Sequence, residues 1–169
     1  MGTIGCRHAE SLLAGRVDHA ELVAFTSRHP QTVLKALDVP DHVRICETVD
    51  ELLHLDLDAV IVATPHPFHP EHAMMAFAAG KHVLIEKPAG TYLQDVDRMN
   101  KAAEVSGLTF SIMLNMRTLP VYQALRTLLE SGQLGNIKRV VLTCTDMYRS
   151  NYYFRSGAWR SSWQGSGGG

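Results

Sequence analysis

The sequence predicts a doubly wound parallel α/β sheet. Three observations carry that prediction. Five short apolar runs rich in Val, Ile and Leu recur along residues 21–114. Patterns of helical period separate them. The central run, "AVIVA" (59–63), is apolar on both faces, which is how a parallel strand covered on both sides reads. Strand and helix in strict alternation give an open, doubly wound sheet.

The strands follow in order as "ELVAFTS" (21–27), "HVRIC" (42–46), "LDAVIVAT" (57–64), "HVLIEK" (82–87) and "LTFSIML" (108–114). Between them, Thr48 with Glu51 forms a capping box before "LLHL". Pro70 suits a first helical position, and Gly80 closes that helix. Thr91 with Gln94 forms a second capping box, and Gly107 ends that helix. "LPVYQALRTLLESGQLG" is amphipathic and stops near Gly132. "NIKRVVLTCTDMYR" (136–149) then reads as a long strand, followed by an aromatic, glycine-rich tail. The pattern divides the chain into a dinucleotide-binding unit over 1–117 and, over 118–169, a connecting helix with the opening of an α+β sheet domain.

Composition narrows the function. The chain has 169 residues, 46% hydrophobic and 20% charged, with a formal net charge of -1. No basic stripe marks a nucleic-acid or anionic-membrane surface. No apolar run reaches the roughly 20 residues that span a bilayer. The N-terminus lacks the apolar core of a signal peptide. Cys6, Cys46 and Cys144 follow no spacing motif and read as reduced thiols of a cytoplasmic protein.

A dinucleotide fold runs a first strand into G-x-G-x-x-G and then a helix. "MGTIG" supplies Gly2 and Gly5 at the spacing of the second and third glycines, with no strand before them. The expected architecture is therefore a Rossmann-type sheet lacking its first strand. Gly2, Ile4 and Gly5 would face a cofactor. In the strand order 3-2-1-4-5-6 the first strand is central. Without it, the sheet has a gap between "ELVAF" and "AVIVA", and each buried apolar side chain lost removes about 1.5–3 kcal/mol. The chain by itself is expected to be poorly stable and catalytically inactive.

Where an NAD site wants a carboxylate, after the first strand present, the sequence has Thr26, Ser27, Arg28 and His29. A hydroxyl and a guanidinium suit a 2′-phosphate, so Ser27 and Arg28 favour NADP, with NAD left open. "ATPHPFHPEH" follows the third strand. Its His66, His69 and His72 are spaced like metal ligands, but two prolines interrupt them and no carboxylate or thiolate completes a set. The better reading is a turn at the carboxyl edge of the sheet, where open α/β sheets bind ligands. Thr64 and Pro65 would wall the nicotinamide half. "HVLIEKPAG" ends at the same edge. Lys87 there can carry a proton or hold a substrate hydroxyl, and Glu86 can pair with it or with a ribose hydroxyl. Pro88 fixes the turn.

"DAVIVATPHPFHPEHAMMAFAAGKHVLIEKPAG" resembles the signature of the Gfo/Idh/MocA oxidoreductases. "LNMRTLPVYQALRTLLESGQLGNIKRV" and the tail "YRSNYYFRSGAWRSSWQGSGGG" fit the same pattern. The resemblance implies that Lys87 is catalytic, contacting substrate and assisting proton movement. It implies that Glu86 and Pro88 line the nicotinamide site, and that Thr64, Pro65 and His69 contact cofactor. Asn115 and Arg117 would lie near nicotinamide and substrate, and the pair Trp159 and Arg160 near the nicotinamide end. The family's catalytic histidine, in a D-x-x-x-H pattern, would lie past the closing glycine run, so the chain reads as truncated at both ends. The expected activity is hydride transfer between NADP(H) or NAD(H) and a sugar, inositol or related polyol, in a parent that is a homo-oligomer. A nucleotide-binding regulator of the same fold, or an inactive gene fragment, stays open as the alternative.

Overall fold

The computed structural model describes residues 1–145, 148–155, 157 and 162–166. It contains α1 (Thr3–Leu13), β1 (Ala24–Thr26), α2 (Pro30–Ala36), β2 (Arg44–Cys46), α3 (Val49–Leu53), β3 (Ala59–Val62), α4 (His69–Ala78), β4 (His82–Ile85), α5 (Leu93–Ser106), β5 (Phe110–Ile112), α6 (Pro120–Glu130), α7 (Asn151–Arg155) and α8 (Trp163–Ser166). All strand pairs are parallel. The alternation of β and α over residues 24–112 is the doubly wound pattern expected.

The strands do not form one continuous sheet. Among the described residues β1 pairs only with β2, and β3, β4 and β5 form a second sheet in that order. The break falls between β1 and β3, at the gap expected from the sequence. The consequence is visible in β3. "AVIVA" promised burial on both faces, yet Ala59 is exposed and Ile61 is 37% exposed. The apolar pattern is present, but its side chains are not covered on both faces. The strands are also shorter than their apolar runs, three or four residues each.

One core still spans both sheets. Cys46 at the end of β2 packs with Leu52, Leu53, Val62, Ala73, Ala76, Phe77, Val83, Ile85 and Met99, and Ala24 of β1 borders the cluster. Phe25, Val33 and Val43 form a smaller cluster with Met1 and Cys6. Phe77 of α4 meets Phe110 of β5 edge to face, at 5.6 Å between ring centroids.

Helix ends follow local chemistry. The amide of Glu51 donates to Thr48 Oγ1 at 3.0 Å, while the Glu51 carboxylate accepts from Glu47 N at 2.9 Å. Half of the expected capping box is therefore made with Thr48, and the other half is shifted by one residue. The second box does not form. α5 begins at Leu93, its N-cap is Tyr92, and no side chain caps it. Gly80, Gly107 and Gly132 end their helices with φ of 73°, 66° and 73°, as a left-handed cap requires.

The strand expected over 136–149 is absent among its described residues, which have no regular structure. Val140, Val141 and Leu142 are 79, 70 and 84% exposed. An extended run becomes a strand only against a partner, and none pairs with it among the described residues. The sheet domain expected to open there contributes no strand among the described residues.

Candidate functional site

The carboxyl ends of β3, β4 and β5 lie side by side, because Val62 pairs with Ile85 and Ile85 with Ile112. The next amides continue the ladder: Glu86 N donates to Val62 O at 2.9 Å, and Met113 N to Ile85 O at 2.8 Å. Register alone therefore brings the "ATP" turn, the "EKP" turn and "LNMR" to one edge.

α1 closes that edge. Its N-cap is Gly2, and no side chain caps its first amides. The Met1 amine sits 3.4 Å from Thr26 O, at the end of β1. Burial holds this amine below its ordinary range; nearby Cys6 opposes the shift and the charge of Arg28 adds to it. Gly5 is buried, and a Cβ there would stand 3.1 Å from Met1 Cβ, so a larger residue would push Met1 off its seat. Gly2 faces open space and Ile4 is 43% exposed. Uncapped amides at the start of an eleven-residue helix suit an anion.

Ser27 and Arg28 follow β1. Ser27 Oγ accepts from His29 N at 3.2 Å, which shapes the turn before α2. Arg28 is exposed and takes part in no ion pair among the described residues.

Glu86 is held by a partner that the sequence did not reveal. Its Oε1 lies 2.8 Å from His8 Nε2, on α1, and its Oε2 accepts from Lys87 N at 3.2 Å. The carboxylate thus points to α1 and not to the Lys87 ammonium, which is exposed. A signal for His8 exists: it follows Gly5 by three residues, one turn along the same helix face. The Lys87–Pro88 peptide bond is cis.

The "ATP" turn runs from Thr64 through a 3-10 turn at His66–Phe68 into α4. Thr64 Oγ1 is 3.1 Å from His72 Nδ1. His72 stacks on Phe68 at 5.9 Å, and burial chiefly lowers its pKa; Glu71 opposes this and His69 reinforces it. His69 is 1% exposed. Its Nδ1 lies 2.7 Å from Pro88 O and its Nε2 2.7 Å from Thr64 O. Both ring nitrogens lie against carbonyl oxygens, so His69 offers neither nitrogen to a ligand. The three histidines therefore do not converge, and no cluster of metal-binding side chains occurs among the described residues.

Gly90 completes the "EKPAG" turn. A Cβ there would come within 2.8 Å of Pro70 Cγ and 3.0 Å of Val96 Cγ2, so only glycine lets the turn lie against α4 and α5.

Asn115 and Arg117 lie exposed in a 3-10 turn over Asn115–Thr118, after β5. Arg117, Tyr122, Gln123 and Arg126 line an open cavity of about 300 Å³. Arg126 is already paired with Glu130 at 2.7 Å. Trp159 and Arg160 lie outside the described residues. No helix among the described residues is long and apolar enough to cross a membrane.

The chain has relatives of known kind. A family model described as an oxidoreductase family with an NAD-binding Rossmann fold, GFO_IDH_MocA, matches residues 1–114. Glucose-6-phosphate 3-dehydrogenase of Bacillus subtilis (strain 168) is 31% identical over 140 residues, covering 81% of this chain and 39% of that protein. Among solved structures, the WlbA dehydrogenase from Bordetella pertussis, in complex with NADH and UDP-GlcNAcA, superposes with a TM-score of 0.82 at 28% identity, covering 96% of this chain and 46% of that one. The scyllo-inositol dehydrogenase from Lactobacillus casei, with bound NAD(H) and scyllo-inositol, superposes at 0.74 and 29% identity, covering 80% and 40%. The chain spans less than half the length of each of these proteins. With two thirds of its length matched, and with the strand-end turns brought to one edge as that fold requires, the chain belongs to the Gfo/Idh/MocA oxidoreductase family.

Proposed function

We propose that this chain supplies the nucleotide-binding half of an NADP(H)-dependent dehydrogenase or reductase acting on a sugar, inositol or related polyol. The observation that carries this reading is the convergence of Thr64, Glu86 and Lys87 at the sheet edge that α1 closes. The uncapped amides of α1 and the unpaired Arg28 fit the phosphates of a dinucleotide.

A bound nicotinamide nucleotide supplies the hydride donor or acceptor. The chain's own residues do the rest. Gly2, Ile4 and Gly5 let the backbone approach the diphosphate. Ser27 and Arg28 take the 2′-phosphate, Arg28 with a fixed charge and several donors. Thr64 and Pro65 shape the wall, with His69 against Thr64 O. Glu86, tied to His8, keeps its charge away from the Lys87 ammonium. Lys87, exposed at the edge, steadies a substrate hydroxyl and moves its proton. Asn115 and Arg117 complete the side toward nicotinamide and substrate. The two solved relatives named above hold NADH and NAD(H). The preference for the phosphorylated cofactor argued here rests on Ser27 and Arg28.

The test is a screen of inositols, hexoses and hexose phosphates with NADP⁺ and NAD⁺, following nicotinamide absorbance. It is run on this chain and on a protein that contains it at the length of its relatives. The longer protein is expected to turn over a polyol with NADP⁺ and to lose the activity in Lys87→Met. This chain alone is expected to be inactive. Turnover that survives Lys87→Met would overturn the role given to Lys87.

A further inference from the structure

Two guanidiniums meet where the outer strand of the second sheet ends. β5 is that strand, and the chain runs from it through the Asn115–Thr118 turn into α6. Arg117 stands in the turn, and Tyr122, Gln123 and Arg126 stand on α6. Together they line the open cavity of about 300 Å³. Helix period explains the grouping. Arg126 follows Tyr122 by four residues and Gln123 by three, so the three share one face. Leu125, Leu128 and Leu129 fall on another. Gln123 Nε2 donates to Arg117 O and holds the polar face to the turn.

The charge there is one-sided. Arg117 takes part in no ion pair among the described residues. Arg126 donates to Glu130 through Nε, at 2.7 Å, and that bond does not use its two terminal nitrogens. Two fixed positive charges thus face one carboxylate. A guanidinium fork takes two oxygens of a carboxylate or phosphate at once. Tyr122 and Gln123 bring further donors. The volume lies at the lower bound of small-molecule sites, about 300–1,000 Å³.

We propose that the Asn115–Thr118 turn and the polar face of α6 form a subsite for an oxyanion, phosphate or carboxylate, carried by the sugar substrate. That the oxyanion belongs to a substrate rests on the functional reading above; the donor set does not. In that reading the nucleotide phosphates have other partners, α1 and Arg28, and Arg28 follows β1 of the other sheet. Arg117 and Arg126 are left for the second ligand. A neutral polyol offers them no charge, so the substrate class narrows to sugar acids and sugar phosphates.

The test is calorimetric titration of the full chain, cold and with trimethylamine oxide as stabiliser. The probes are inorganic phosphate, glucose 6-phosphate, glucuronate and glucose. The chains used carry Arg28→Ala, which silences the 2′-phosphate site. An acidic sugar should bind and glucose should not, and the sugar that binds tells phosphate from carboxylate. Arg126→Gln should weaken this binding about tenfold. Glu130→Gln should tighten it about twofold, the worth of an exposed pair four residues apart on a helix. Both residues are exposed, so neither variant threatens the fold. Binding that either variant leaves unchanged would overturn the proposal, as would phosphate binding with both acidic sugars refused. NADPH is titrated into the chain with Arg28 intact. Acidic-sugar binding that needs Arg126, in a chain that does not bind NADPH, would keep the subsite and sink the nucleotide reading. NADPH binding without any anion binding to the Arg28→Ala chain would do the reverse.

Discussion

His8 Nε2 and Glu86 Oε1 meet at 2.8 Å, joining the helix at the start of the chain to the strand end that carries Lys87. The two residues are 78 positions apart. Both side chains are largely covered, so the contact holds α1 on the edge of the second sheet while Met1 holds it on the first. His8→Ala leaves the Glu86 carboxylate without its partner. A loss of about 1–3 kcal/mol in folding free energy is expected, the range for a covered polar group that loses its bond. Urea titration of wild type and variant measures it.

Gly90 predicts a second loss. A methyl group there collides with Pro70 and Val96, both packed between α4 and α5. Gly90→Ala is expected to destabilise the chain by about 1–3 kcal/mol, as overpacking does. Gly2→Ala, which meets open space, should change the urea midpoint far less.

The gap between β1 and β3 predicts where stability does and does not reside. Ile85 is fully buried, and Ile61 of β3 is 37% exposed. Ile85→Ala should cost about 2–5 kcal/mol. Ile61→Lys should stay within about 0.5 kcal/mol of wild type, as on a surface. Thermal melts read both. The wild-type midpoint is expected below the usual range of about 45–65 °C for such domains.

His72 predicts an acid limb. Burial lowers its folded pKa below the ordinary value of about 6.5, so the unfolded chain takes up a proton that the folded chain resists. Its contribution is therefore intact above that value and lost as pH falls below it. Melting midpoints measured from pH 7.5 down to 5 should decline, and His72→Gln should flatten the decline.

Much of this was legible from the residues. Five strands stand inside the five apolar runs, because period and β-branched content report burial directly. The three turns gather at one edge because parallel register puts all carboxyl ends together. Strand lengths were overread, since apolar pattern records what a strand can pair with and not what is beside it; Ile61 and Val140 make the point. Thr91 and Gln94 have the spacing of a capping box, but α5 starts later, at Leu93. The Glu86 partner was missed because a contact across 78 residues leaves no local period. The place of His69 was missed because the resemblance put it in contact with cofactor, and its contacts with Thr64 O and Pro88 O leave no trace in local spacing.

The most direct measurement of the central claim is a fluorescence titration of the chain with NADPH and with NADH, in wild type and Arg28→Ala. The account predicts that wild type binds NADPH at least tenfold more tightly than NADH, and that Arg28→Ala removes the difference by weakening NADPH alone. Equal binding of the two in wild type, or an equal loss of both in Arg28→Ala, would contradict it.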